Sequence, residues 1–316
     1  MSEGNVSGAL IFWSYIVAAL TFTGLIIYTI INDGPFKKSQ LRSKKITFAV
    51  LAAVSFICLS YNMVHVLIYC YLEWETIHRP VIPLRFTPTS ISLSPTDVAR
   101  RLWHWSTTST LFQDFGHALI ADKAGWTWSH AALTLTNVQM MAMSFEGHLF
   151  AVPRLWIFFV LAEILPISFT QNLFHLLCLP RAMARRGRRM KTSWIRILPF
   201  AAYTVAYKLC LDYAPESGDR LMMVILAARL LLVLPLFFSS PVEFATNSDG
   251  RNSRQPADKI HPFYVFAIIA GALIGNVLPI SPSNWHGLHW HPAVSTLGYD
   301  SLISVVSSLV WVYVAW

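Results

Sequence analysis

ITFAVLAAVSFICLSYNMVHVLIYCYL, residues 46–72, runs for 27 residues without an Asp, Glu, Lys or Arg. As an α-helix it is about 40 Å long, more than the roughly 30 Å of a bilayer's hydrocarbon core. Lys37, Lys38, Arg42, Lys44 and Lys45 stand just before it, the flank expected at the cytoplasmic end of a membrane helix. The stretch reads as a transmembrane span.

Similar stretches extend outward from it. Ala9–Ile31 precedes it, and Ala131–Val152, Leu155–Leu179, Leu221–Ser240 and Pro262–Ile280 follow. Ile197–Tyr213 and Ser301–Trp316 are shorter but apolar. Leu102–Ala121 is mixed, since Gln113, Asp114 and His117 interrupt its Trp, Leu and Phe residues. Charge parity favours counting it as a crossing. It places the basic segment Arg181–Lys191 on the same side as Lys37–Lys45, with Arg251, Arg254 and Lys259 joining them. The other reading of 102–121 is an interfacial amphipathic helix. The expected fold is therefore all-α: one polytopic transmembrane helix bundle over residues 1–316, with eight to nine membrane segments and a lumenal N-terminus.

Composition agrees. Apolar residues make up 55% of the 316 and charged residues 13%, against about 25% charged in soluble domains; the mean hydropathy is +0.50. The net charge of +8 lies in short runs between apolar stretches, which suits a membrane protein and argues against nucleic acid as a partner. Met1–Gly8 holds Glu3 and no Lys or Arg, so Ala9–Ile31 reads as a retained span rather than a signal peptide. Asn5-Val-Ser7 is a sequon too close to that span to be used. Cys58, Cys70, Cys178 and Cys210 fall in apolar stretches without a CxxC pair and read as small hydrophobes. Neither internal repeat nor DDxxD motif is visible in the chain.

Ionisable groups inside spans are the candidates for chemistry, because lipid makes them costly. They gather in the middle third: Asp114 and His117 one turn apart, then Glu146 and His148, then Glu163 ahead of Pro166. Asn137 sits on the span that carries Glu146, and Ser168, Asn172 and His175 form one stripe with Gln171 beside it. Each has a structural alternative. Glu146 and His148 lie close enough to a span end to touch headgroup water. Glu163 or Asp114 is the natural counter-charge for Arg229, deep in Leu221–Ser240. The 168–175 stripe has the composition of interhelical hydrogen-bond glue. His286, His289 and His291 are spaced like a ligand set, but they share their loop with Trp285 and Trp290, and an interfacial aromatic belt explains them at least as well. No metal or cofactor is expected. Carboxyl groups held away from water suit general-acid chemistry, and aromatic faces beside them suit the cation that protonation creates.

The segments Leu111–His117 (LFQDFGH), Trp126-Thr-Trp128, Phe145-Glu-Gly147, Pro153–Trp156 and Ile167–Phe174 resemble the fungal integral-membrane terpene cyclases of meroterpenoid biosynthesis, of the ascochlorin and ascofuranone type. The resemblance covers roughly a quarter of the chain. It implies protonation of the terminal epoxide of a prenylated aromatic polyketide, followed by ring closure, in an endomembrane such as the endoplasmic reticulum. The lipophilic substrate, an epoxidised prenyl-phenol, would arrive from the bilayer. Glu146, Asp114 and Glu163 are the candidate acids, with His117 and His148 as their partners. Asn137, Gln171, Asn172, His175 and Arg229 are candidate substrate contacts. Two other classes stay open: a wax-synthase-like membrane O-acyltransferase, for which Arg101-Leu-Trp-His-Trp105 and His148 or His175 would speak, and a small-molecule transporter.

Overall fold

The computed structural model describes residues 5–33, 39–78, 95–109, 111–184, 229–233 and 291–315, with Leu198, Ala202, Val205 and His289 besides. The expected spans 197–213, 221–240 and 262–280 lie wholly or mostly outside these. Among the described residues every regular element is a helix: α1 (Val6–Asp33), α2 (Ser39–His78), α3 (Pro95–Thr108), α4 (Leu111–Ile120), α5 (Lys123–Leu149), α6 (Leu155–Ile164), α7 (Ile167–Ala184) and α8 (Pro292–Ala315). Three of them are long and apolar enough to cross a membrane, over Val6–Asn32, Arg42–Ile77 and Pro292–Val314. α1 and α2 turn large apolar side chains outward, among them Leu10, Val17, Leu20, Ile31, Val50 and Ile57. A surface of that kind suits hydrocarbon.

Polar residues fix where the helices start. Asn5 caps α1, its Oδ1 accepting from the Gly8 N–H at 2.8 Å, and Asp122 caps α5 through the Gly125 N–H. His291 caps α8: its Nδ1 accepts from the Ala293 N–H at 3.1 Å, and Pro292 takes the first helical position, where no N–H is needed. α8 thus begins nine residues before the expected Ser301, which brings Asp300 inside the helix.

The bundle has two distinct ends. At one, α1 begins and α2 finishes under an aromatic cluster in which Tyr71, Trp74 and Trp105 are buried together. Trp74 donates to Thr108 Oγ1 at 2.7 Å, and the Asn5 N–H donates to the Thr107 carbonyl. α3 belongs to this end. So does α4, whose Phe115 and Leu119 pack with Val66, Trp128 and Val294. The single segment expected over Leu102–Ala121 is instead split between α3 and α4, of 14 and 10 residues. Neither reaches the other end. At that other, basic end α1 finishes and α2 begins, and Lys44 Nζ donates to the Val314 carbonyl at the close of α8.

A second expectation is replaced in the same way. Leu155–Leu179 reads in sequence as one span, but it folds as a helical hairpin. α6 starts where Leu155 packs on Gly147 of α5, so closely that a Cβ on the glycine would lie 2.4 Å from Leu155 Cδ1. The contact sits near the basic end, since Gly147 directly follows Glu146, whose side chain meets Trp311 of α8. α6 then runs inward for ten residues, about 15 Å. The chain reverses at Leu165–Pro166, and α7 returns along α6, bringing Phe158 and Phe174 to 5.5 Å between ring centroids. Pro166 has no N–H to continue a helix and holds Leu165 extended, at φ −109° and ψ 164°. α7 runs antiparallel to α2, as the Ser55–Ser168 and Phe48–His175 contacts require. Its basic continuation at Arg181 therefore faces the same end as Lys44.

Candidate functional site

The hairpin tip meets α8 at Asp300, eight residues from the start of that helix, or about 12 Å along it. Two helix termini meet there, and their backbone groups have no intrahelical partners. The Asp300 carboxylate takes the first N–H groups of α7, Ile167 at 3.1 Å and Ser168 at 2.9 Å. An acid at a helix N-terminus also complements the helix dipole. On the α6 side Arg229 Nη2 donates to the Ala162 carbonyl at 2.9 Å, and the Tyr15 hydroxyl donates to Ile164. Arg229 also pairs with Glu163, at 2.7 Å from Nε to Oε2. The charged and hydroxyl groups at the tip answer needs set by the backbone and by each other.

From the tip a polar seam follows α7 and α8 toward the basic end. Gln171 Nε2 donates to Ser308 Oγ at 2.9 Å, and its Oε1 accepts from Ser304. Asn172 Nδ2 donates to Ser307 Oγ and to the Ser168 carbonyl, both at 2.8 Å. Gln139 of α5 joins through Ser308 at 2.7 Å. On α7 the spacing 168, 171, 172, 175 makes one face, and on α8 the spacing 300, 304, 307, 308, 311 makes another.

At the far end of the seam the chemistry changes. Trp311 Nε1 donates to Glu146 Oε1 at 2.9 Å. The indole lies flat on His175, with ring centroids 4.3 Å apart and planes 3° from parallel. Phe48 of α2 closes edge-on over both rings, 5.2 Å from His175 and 5.7 Å from Trp311. All four side chains are buried, Glu146 at 4% exposure and Phe48 at none. Four helices thus place a carboxyl group, an imidazole and two aromatic rings around one point.

The remaining candidates divide as follows. Glu163 stands near the inner end of α6, about 12 Å along that helix from the Leu155–Gly147 contact, and belongs to the tip with Arg229. His117 is exposed on α4, while the side chain of Asp114 lies outside the described residues. Asn137 and His148 are half-buried on α5, His148 in its last turn. Gln171 and Asn172 belong to the seam. His291 serves as a helix cap, His289 stands 3.2 Å from the Tyr299 hydroxyl, and His286 lies outside the described residues. Among the described residues no cluster of His, Cys, Asp and Glu is grouped to hold a metal.

Sequence reasoning missed Asp300, Trp311 and Phe48. Asp300, Ser304, Ser307 and Trp311 recur at helical spacing through an apolar stretch, a signal readable once α8 is begun at Pro292. Phe48 carries no signal, since one Phe among many apolar residues is indistinguishable until its neighbours are known.

No protein family, curated protein or solved structure matches this chain.

Proposed function

We propose that the chain is a membrane-embedded terpene cyclase that protonates the terminal epoxide of a prenylated aromatic polyketide and closes a ring, in fungal meroterpenoid biosynthesis. The observation that carries this reading is the buried Glu146 carboxyl group held by the Trp311 indole, with Trp311 stacked on His175 beneath Phe48. In its protonated form Glu146 donates to the epoxide oxygen. The ring C–O bond opens, and the carbon left electron-poor is attacked by the neighbouring alkene or phenol. The Trp311 N–H stabilises the carboxylate that Glu146 becomes. The Trp311 and Phe48 rings beside Glu146 stabilise positive charge along the folded prenyl chain. Water is kept out by the apolar walls, so the cation closes on itself instead of being hydrated.

The topology we propose has seven crossings and one re-entrant hairpin. α1, α2, α5 and α8 cross, α6–α7 enters and leaves at the basic end, and α3 and α4 stay at the aromatic end. Taking the apolar stretches 197–213, 221–240 and 262–280 as crossings, as the sequence expects, brings α8 back to begin at the aromatic end. Lys37–Lys45, Arg181–Lys191 and Arg251–Lys259 then share one side, the cytoplasmic one, and the N-terminus is lumenal in an endomembrane. The count of eight to nine membrane segments becomes these seven, the hairpin, and the interfacial pair over 102–121.

The test is turnover of an epoxidised farnesyl-phenol by microsomes carrying the protein. Wild type should consume it without an added cofactor, and Glu146→Gln should lose at least about a hundredfold in rate while staying folded in detergent. Undiminished turnover by Glu146→Gln would remove the proposal. O-acyl transfer is the second reading, favoured by His148 in the last turn of α5 at the basic end. A product that forms only when acyl-CoA is supplied would select it.

A further inference from the structure

His175 is almost fully buried, at 4% exposure, and its Nδ1 has no hydrogen-bond partner among the described residues. Buried polar atoms of folded proteins nearly always have one, so an exception calls for an explanation. Structural glue does not supply it. Asn172, one turn earlier, spends both hydrogens of its amide nitrogen on Ser168 and Ser307, with its Oδ1 also unpartnered among the described residues, whereas the His175 ring is held only by faces and edges: Trp311 stacked, Phe48 and Phe174 at its sides. Packing of that kind fixes the imidazole plane and leaves Nδ1 open among the described residues. The indole under His175 is also the one that holds Glu146.

Resting on the cyclase reading above, we infer that His175 is the base of the reaction: it accepts, at Nδ1, the proton released when the ring closes. One indole then has the acid at its N–H edge and the base on its face. Glu146 gives its proton to the epoxide oxygen, and the C–O bonding pair stays with that oxygen as a hydroxyl. The alkene π pair, or a phenol oxygen lone pair, forms the new bond to the opened carbon. The C–H beside the final cation, or the O–H of the new oxonium, breaks; its electron pair stays with the substrate and its proton goes to His175. The substrate is isomerised, and one proton has moved from Glu146 to His175. Its return to Glu146 completes the cycle, so no co-reactant is consumed. A fixed base also dictates which hydrogen leaves, and thereby a single product.

The test scores products, because a structural histidine would change yield without changing identity. His175→Gln, His175→Asn and His175→Met are assayed in microsomes with the epoxidised farnesyl-phenol, and any one that stays monodisperse in detergent decides. The expected result is continued epoxide opening. The wild-type product should fall by about a hundredfold and be replaced by water-captured diols or by alkenes that have lost a different hydrogen. A folded variant that makes the wild-type product alone, at the wild-type rate, overturns the inference and leaves Glu146 as the acid. An inert wild type on this substrate would instead sink the cyclase reading itself, so the two failures are told apart in the same assay.

Discussion

The hairpin tip and the Glu146–Trp311 cluster are both polar islands in an apolar bundle, yet the reasons for their polarity differ. At the tip, two helix termini expose backbone groups that have no intrahelical partners. Asp300, Arg229 and Tyr15 each bond to one of those termini, and Glu163 balances Arg229. At the cluster the contacts run between side chains. His175 lies inside α7, five residues before Pro180, and Glu146 lies in the last turn of α5, where the free backbone groups are carbonyls that a carboxylate does nothing to satisfy. Polarity that answers the backbone, or that pairs side chain with side chain as in the Gln171–Ser308 seam, reads as structure; a buried acid sharing an indole with an imidazole reads as function.

The largest effects should fall on stability at the tip. Asp300→Ala leaves the Ile167 and Ser168 N–H groups without their acceptor, and bonds to a charged acceptor contribute about 1.5–3 kcal/mol each. We expect a loss of roughly 3 kcal/mol or more, read as a large fall in the detergent melting temperature or in accumulation, with Asp300→Asn milder. An unchanged melting temperature for Asp300→Ala would break the distinction at its firmer half.

Glu146→Gln should do the reverse. The carboxamide still accepts from Trp311, so the melting temperature should move by less than about 1 kcal/mol equivalent, while turnover falls as described above. Equal destabilisation of Glu146→Gln and Asp300→Ala would make both islands structural.

A steric probe sharpens where the two regions meet. Gly147 is the α5 residue on which α6 packs, next to Glu146. Alanine there can be met by a shift of the Leu155 tip, but Gly147→Leu overfills the contact and should cost about 1–3 kcal/mol. It should also lower turnover by displacing Glu146, whereas a substitution at the exposed Ile57 should leave both unchanged.

The smallest effect concerns pH. His291, just before α8, is held below the ordinary histidine value of 6.5 by burial, and its Nδ1 must stay unprotonated to cap the helix. The unfolded chain therefore takes up a proton more readily than the folded one. Stability is fully present above about pH 6.5 and declines as the pH falls below it. His291→Asn keeps a capping oxygen and should flatten that decline, measured by melting temperature between pH 7 and pH 5.

Much of the architecture is legible in the residues alone. The apolar length of 46–72, the low charge and the basic runs determine a helical membrane bundle, because those properties are sums over sequence and need no neighbours. The stripe Ser168–Gln171–Asn172–His175 and the placing of Glu146 in an apolar stretch are visible for the same reason. Parity is instructive: counting both Leu102–Ala121 and Leu155–Leu179 as crossings puts the basic segments at Lys37–Lys45 and Arg181–Lys191 on one side, and counting neither does so equally well. Charge fixes only whether the number of crossings is odd or even. Which stretches fold back is decided by partners far away in the chain, Asp300 and Arg229 for the hairpin and the aromatic cluster for α3. Likewise, that Glu146 shares an indole with His175 while Glu163 pairs with Arg229 is settled by packing. A carboxyl group in a sequence carries its cost in lipid, but only its neighbours in space determine how that cost is met.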